Sequence, residues 1–279
     1  MIEILGISKK YDRRTYALNE INASLKERVT TVIGRNGAGK TTLIRILSTQ
    51  LTPTSGTAVI EGLDILKETK KVRQIISSIH QESQLIGILS PLEQMQLYLM
   101  ARGFSSSQAK EESKYALDEL EMYAYRNAPS DTLSGGMKRK VFVAMALASK
   151  APIIFLDEPT TGLDPLSRIE VWSAIKRLSS KIILTTHYME EAQELSNEVM
   201  VIDQGNIMTH GTIESLLSAF NGMMRAEKLD GAEYDIKIAN VAIKYIGKER
   251  VDEFVKKGYD IKRVNLDDIF LSRGEILES

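Results

Sequence analysis

Gly34-Arg35-Asn36-Gly37-Ala38-Gly39-Lys40-Thr41 is the stretch from which the rest of this chain can be read. It fits G-x-x-x-x-G-K-[ST], follows the β-branched run Val29-Thr30-Thr31-Val32-Ile33, and opens a helical pattern through Leu43, Ile44, Ile46 and Leu47. Composition alone produces such a match in on the order of one chain per hundred of this length. The strand before it and the helix after it are the context that the motif requires. Glycines let the backbone turn tightly and aim successive N–H groups into one concavity, and the helix start adds its positive dipole end. Gly34, Asn36, Gly37, Ala38 and Gly39 therefore read as a phosphate cradle, with Lys40 reaching the β- and γ-phosphates and Thr41 ligating Mg²⁺.

A phosphate cradle needs a second acidic site before it can do chemistry. Ile153-Ile154-Phe155-Leu156-Asp157-Glu158 supplies one: a buried strand ending in Asp157 sets a carboxylate at the sheet edge beside the loop, where it can hold Mg²⁺ through water. Glu158, one residue further, is placed to take a proton from an attacking water.

The composition narrows the class. The chain has 279 residues, with 36 Lys+Arg against 37 Asp+Glu, a net charge of -1, and 43% hydrophobic residues, which predicts a globular chain with a sizeable core. Near-neutral charge gives no reason to expect nucleic-acid binding, whose affinity comes mainly from phosphate neutralisation. Without cysteine there is no disulfide framework, thiolate metal site or cysteine nucleophile. The longest uninterrupted apolar run is Val141 to Ala148, too short to span a bilayer. Glu3 interrupts the first apolar run and no basic n-region precedes a signal-length core, so the expected location is cytoplasmic.

Val/Ile-rich runs alternating with helical patterns predict an α/β fold with a buried parallel sheet. Between about Leu85 and Ala148 the period changes to 3.6, carried by Leu92, Met95, Leu97 and Leu99 and then by Tyr115, Leu117 and Leu120, which predicts a helical insertion. Asn221-Gly222 marks a break. Beyond it, strands at Tyr234-Ile238 and Ile261-Val264 flank a helix carrying Val251, Phe254 and Val255 that Gly258 stops, and Asn265 caps a last helix packing Leu266, Ile269 and Phe270.

With these residues in place, the chain resembles the ATP-binding cassette ATPases. Leu133-Ser134-Gly135-Gly136-Met137 looks like the family's signature motif, Gln81 stands at its Q-loop glutamine, Gly162-Leu163-Asp164 resembles its D-loop, and His187 its switch histidine. Tyr11 sits where the family has an adenine-stacking aromatic, and Thr42 where it binds the α-phosphate. The resemblance covers residues 1–220 and implies a P-loop core with a mixed sheet, an antiparallel β-subdomain and a helical signature subdomain at about 82–150. Residues 221–279 are left as a small accessory α/β domain.

The resemblance further implies that Ser134, Gly135 and Gly136 of one cassette bind the γ-phosphate held by a second, head-to-tail copy, which calls for a homodimer. It implies roles for His187 and Gln81 in positioning the water, for Gln81 at Mg²⁺ as well, and for Asp164 at the nucleotide. One departure is His80, which stands where many members carry proline and precedes the segment that meets a membrane partner. The expected role is ATP hydrolysis energising transport through separate transmembrane permease subunits, from the cytoplasmic face of the membrane. Asn265-Leu266-Asp267-Asp268-Ile269-Phe270-Leu271 resembles the tail of drug, lipid and polysaccharide exporters, so export is expected over import. A soluble cassette ATPase serving repair, translation or iron–sulfur assembly, and a module that has lost catalysis, are the competing readings.

Overall fold

The structure is a computed structural model, and the residues it describes are 1–11 and 15–272, apart from the side chains of Phe270 and Ser272. The chain divides into two compact units, Met1–Thr209 and His210–Ser279.

The first unit opens with the antiparallel pair β1 (Ile2–Lys10) and β2 (Tyr16–Leu25), then passes through the wholly buried β3 (Val29–Ile33) into α1 (Lys40–Leu47). β4 (Ser55–Ile60) and β5 (Leu63–Asp64) return to the first pair and complete a four-stranded antiparallel sheet, β2-β1-β4-β5. After α2 (Thr69–Ile75) and β6 (Ile76–Ile79) come three helices packed on one another, α3 (Pro91–Ala101), α4 (Ser106–Glu119) and α5 (Gly135–Ala148). β7 (Ile153–Asp157), α6 (Pro165–Lys176), β8 (Lys181–Thr186), α7 (Met189–Leu195) and β9 (Glu198–Asp203) follow, and then β10 (Asn206–Thr212), within which the first unit ends at Thr209.

The central sheet runs β10-β9-β3-β8-β7-β6, and its β9-β3-β8-β7-β6 part is parallel. Alternate side chains of a strand point to opposite faces, so a strand covered on both sides must be apolar throughout. That is how β7 is used: Ile154 and Leu156 join the core made with α4, α5 and α6, while Ile153 and Phe155 join the core made with α1 and the antiparallel sheet. Because β8 lies between β3 and β7, the phosphate loop and the β7 carboxylates share one edge, the crevice where open α/β sheets take ligands.

The helical insertion starts where local capping dictates. Ser90 and Glu93 form a reciprocal capping box with Pro91 in the first turn, and Ser105 and Gln108 form another at α4. Two positions in the expected apolar stripe do not face the core: Leu97 is 52% exposed and Tyr115 is 56% exposed, because Met95 and Leu99 on α3 and Ala116 and Leu117 on α4 already fill the helix interfaces. No helix among the described residues is long and apolar enough to cross a membrane.

The second unit holds α8 (Ile213–Leu217), β11 (Met223–Leu229), β12 (Ile236–Ile238), β13 (Val241–Gly247), α9 (Val251–Lys256), β14 (Asp260–Arg263) and α10 (Leu266–Ser272), with the antiparallel order β12-β13-β11-β14. The expected strands 234–238 and 261–264 correspond to β12 and β14, and the helix stopped by Gly258 to α9. β11 and β13 have no counterpart in the sequence reading, because Arg225, Glu227, Lys228 and Lys244 interrupt their apolar pattern. The compact unit begins before the Asn221-Gly222 break because α8 packs against α10. Asn265 caps α10 as expected, its Oδ1 accepting from Asp267 N at 3.0 Å, whereas the expected packing of Phe270 lies outside the described residues.

Candidate functional site

A cavity of about 840 Å³ opens at the shared sheet edge. Ten of the sequence-predicted residues line it: Tyr11, Asn36, Gly37, Gly39, Lys40, Thr41, Thr42, Gln81, Glu158 and His187. The loop closes on itself through Lys40, whose Nζ donates to the carbonyls of Gly34 at 2.8 Å and Arg35 at 3.2 Å, while Ala38 N donates to Arg35 O at 3.1 Å. Gly39 has φ 108°, and a Cβ there would collide with the Ala17 carbonyl oxygen of β2, so a side chain is excluded on both counts.

At the end of β7 the two carboxylates have different surroundings. Asp157 Oδ1 accepts from Thr185 Oγ1 at 2.6 Å and from Thr41 Oγ1 at 3.1 Å, and Asp157 Oδ2 is buried with no hydrogen-bond partner. An uncommitted carboxylate oxygen beside a hydroxyl fits a small hard cation that keeps several waters. Glu158 adopts φ 47°, a conformation uncommon for a residue with a Cβ, and its N–H is held by Thr185 O at 3.1 Å and Thr185 Oγ1 at 3.0 Å. Its Oε1 lies 3.3 Å from Lys40 Nζ, and its Oε2 accepts from Thr161 Oγ1 at 2.9 Å and lies 3.4 Å from His187 Nδ1. Lysine, glutamate and histidine thus converge on one wall.

Tyr11 is 64% exposed, with Lys9 Nζ 5.7 Å from its ring centroid, and its hydroxyl shares a 3.2 Å hydrogen bond with Thr42 Oγ1. Thr15, Tyr16, Ala17 and Thr161 also line the cavity and were not singled out from the sequence. The aromatic Tyr16, with Lys10 Nζ 4.0 Å above its ring, was the legible signal among them. Thr161 was not, since its contact with Glu158 depends on the turn after β7. His80 is half-buried with Ser78 Oγ 3.0 Å from Nε2, and burial holds its imidazole below the ordinary value against the pull of Asp157.

The signature residues lie elsewhere. Ser134 caps α5, its Oγ accepting from Met137 N at 3.2 Å, and Gly135 borders a second cavity of about 540 Å³. Gly136 is buried where a Cβ would come within 2.6 Å of Ser167 Oγ on α6, so the bare backbone permits the close helix contact. Asp164 caps α6, accepting from Leu166 N and Ser167 N, each at 3.1 Å. Ser134, Gly135, Gly136 and Asp164 do not line the phosphate-loop cavity of their own chain.

The sequence model of the ABC transporter family matches residues 18–161. The chain belongs to the ABC transporter family. The daunorubicin/doxorubicin resistance ATP-binding protein DrrA of Streptomyces peucetius is 34% identical to this cassette over 236 residues, covering 83% of this chain and 71% of its own length. DrrA of Mycobacterium tuberculosis is 35% identical over 220 residues, covering 77% of this chain and 66% of its own length. The human retinal-specific phospholipid-transporting ATPase ABCA4 is 37% identical over 207 residues, of which this cassette spans only 9%. Among solved structures, a dimeric post-hydrolysis state of the ATP-binding cassette MJ0796 bound to ADP and Pi superposes with a TM-score of 0.69 at 26% identity, covering 76% of this chain and 98% of that one.

Proposed function

We propose that this cassette is the ATP-hydrolysing subunit of an exporter, acting head-to-tail with a second copy on the cytoplasmic face of the membrane, against separate transmembrane subunits. The observation that carries the reading is the convergence of Lys40, Glu158 and His187 on one wall of the cavity, beside the Thr41–Asp157 pair. Export is favoured over import by the resistance and phospholipid-transport activities for which DrrA and ABCA4 are named.

In this reading Tyr11 stacks on adenine, Thr42 bonds the α-phosphate, and Lys40 moves its charge onto the β- and γ-phosphates. Thr41, Gln81 and the uncommitted oxygen of Asp157 hold Mg²⁺, which offsets the negative charge of the phosphates. Glu158 accepts the proton of the attacking water through the carboxylate that Thr161 and His187 orient. Ser134, Gly135 and Gly136 of the second copy, at the positive end of α5, stabilise the γ-phosphate charge from the open side. Closure of the pair on ATP and its reopening after hydrolysis drive the membrane subunits.

The test is a pull-down with tagged Glu158→Gln protein from detergent-solubilised native membranes and from cytosol, each with and without ATP and Mg²⁺. A multi-span membrane protein enriched from the membrane fraction is the expected result. Recovery of soluble partners alone moves the role to a cytosolic cassette ATPase and removes transport.

A further inference from the structure

β8 is buried from Ile182 onward, and an apolar residue at every position would fill that core, yet the strand ends in Thr185 and Thr186. A buried hydroxyl costs free energy unless it is hydrogen-bonded. Thr185 is fully buried, and the parallel register sets it beside Val32 on β3 and Asp157 on β7. Alternation carries its side chain to the face of Ile183, the same face on which Asp157 follows Ile153 and Phe155 and against which α1 packs. Sheet register thus aims this hydroxyl at the β7 carboxylate.

The hydroxyl has little freedom there. Glu158 N–H donates to Thr185 Oγ1 at 3.0 Å, so the hydroxyl hydrogen is turned away from it and onto Asp157 Oδ1, at 2.6 Å. Thr41 Oγ1 donates to the same oxygen at 3.1 Å, and Oδ2 is left buried without a partner. The last torsion of an aspartate is broad, so its two oxygens are distinguished only by what binds them. Thr41 is itself assigned to the cation, which makes Thr185 the donor whose bond to Asp157 does not compete with the metal. We propose that Thr185 is a positioning residue of the metal site, its hydroxyl fixing the roll of the Asp157 carboxylate so that Oδ2 is the oxygen kept for Mg²⁺. The inference rests on the reading above that Asp157 holds Mg²⁺, and adds the group that orients it.

The experiment titrates Mn²⁺, in place of Mg²⁺, into the whole chain with ADP and reads free Mn²⁺ by electron paramagnetic resonance, for the parent, Thr185→Val and Thr185→Ser. Valine has the shape of threonine without the hydroxyl, and Glu158 N–H keeps the Thr185 main-chain carbonyl at 3.1 Å as its acceptor. Groups that orient a metal ligand control its affinity, so Thr185→Val is expected to weaken Mn²⁺ binding by about 10- to 100-fold. Thr185→Ser keeps the hydroxyl and is expected to match the parent, with ADP affinity in EDTA unchanged in both variants. Equal Mn²⁺ affinity in Thr185→Val and the parent overturns the positioning role. Binding in Thr185→Ser as weak as in Thr185→Val also overturns it, because the methyl group and not the hydroxyl then matters. A loss of metal-free ADP affinity as large as the loss for Mn²⁺ does the same, since the whole site is then disturbed. Asp157→Ala separates the two readings: Mn²⁺ affinity equal to that of the parent overturns the metal assignment of Asp157 and this inference together, whereas weakened binding there beside unchanged binding in Thr185→Val removes Thr185 alone.

Discussion

Lys40 Nζ lies 3.3 Å from Glu158 Oε1, and both side chains are buried. The pair ties the start of α1 to the end of β7, with the Lys40 ammonium also serving the carbonyls of Gly34 and Arg35, and the far oxygen of Glu158 serving Thr161. In the proposed mechanism this one contact joins the phosphate-binding lysine to the proton acceptor, and its two members are expected to fail in different ways.

Glu158→Gln keeps an oxygen for Thr161 and loses the proton acceptor. Hydrolysis is expected to fall by about 10²- to 10⁴-fold, with ATP affinity nearly unchanged. Phosphate release and nucleotide titration on the same preparation separate the two quantities, and an undiminished rate removes Glu158 from its role.

Lys40→Ala removes the cation facing the phosphates. Charge-assisted bonds contribute about 1.5–3 kcal/mol, so ATP affinity is expected to weaken by about 10- to 100-fold. Equal titration curves for the variant and the parent contradict the phosphate-cradle assignment.

Glu191 is fully buried, its Oε1 accepting from Thr160 Oγ1 at 2.7 Å and Trp172 Nε1 at 2.8 Å, and burial raises its carboxyl above the ordinary value of 4.5. The folded chain then holds a proton that the unfolded chain releases, so stability declines as pH rises from 4.5 through the raised value and levels off beyond it. Glu191→Gln lacks this titration. The melting temperature of the parent relative to Glu191→Gln is expected to drop with rising pH across that window; parallel profiles contradict the assignment.

Asp268 anchors the tail of the second unit. Fully buried, it accepts from Tyr245 OH at 2.9 Å, Arg225 Nη1 at 3.1 Å and Asn265 N at 2.8 Å. Asp268→Ala leaves Tyr245 OH and Asn265 N without their acceptor and takes away one of the two carboxylates facing Arg225, Glu227 Oε1 remaining 2.8 Å from its Nε, and the loss is expected as faster hydrogen exchange in α10. Burial and then Asp268 raise the Tyr245 phenol above 10, so Asp268→Asn is expected to lower its titration in alkaline difference absorbance. Unaltered exchange and titration contradict this anchoring.

The legible part of the molecule is the part whose chemistry is local. The Gly34–Thr41 loop and the apolar runs of β7 and β8 each act through neighbours in sequence, so residue type and spacing specify them. The same holds for Asn265 at α10. Asp268 stands in the first turn of α10, where local chemistry accounts only for a charge suited to the helix dipole, yet it is buried against Tyr245 and Arg225, which are contacts between distant segments. Strands β11 and β13 were hidden because charged residues share them with the apolar ones, and pairing across the sheet rather than alternation holds them.

By itself the sequence determined that this chain makes a glycine-rich loop of the phosphate-binding pattern between a strand and a helix, and that acids end a second buried strand, because glycine conformational freedom, helix-start dipoles and strand hydrophobicity are properties of short segments. Only the tertiary structure decided that β8 lies between β3 and β7, which brings Thr41 within 3.1 Å of Asp157 and Lys40 within 3.3 Å of Glu158. It also separated Ser134 from the cavity of its own chain. Strand order and helix packing are set by how whole apolar faces are buried together, and no local pattern specifies which faces meet.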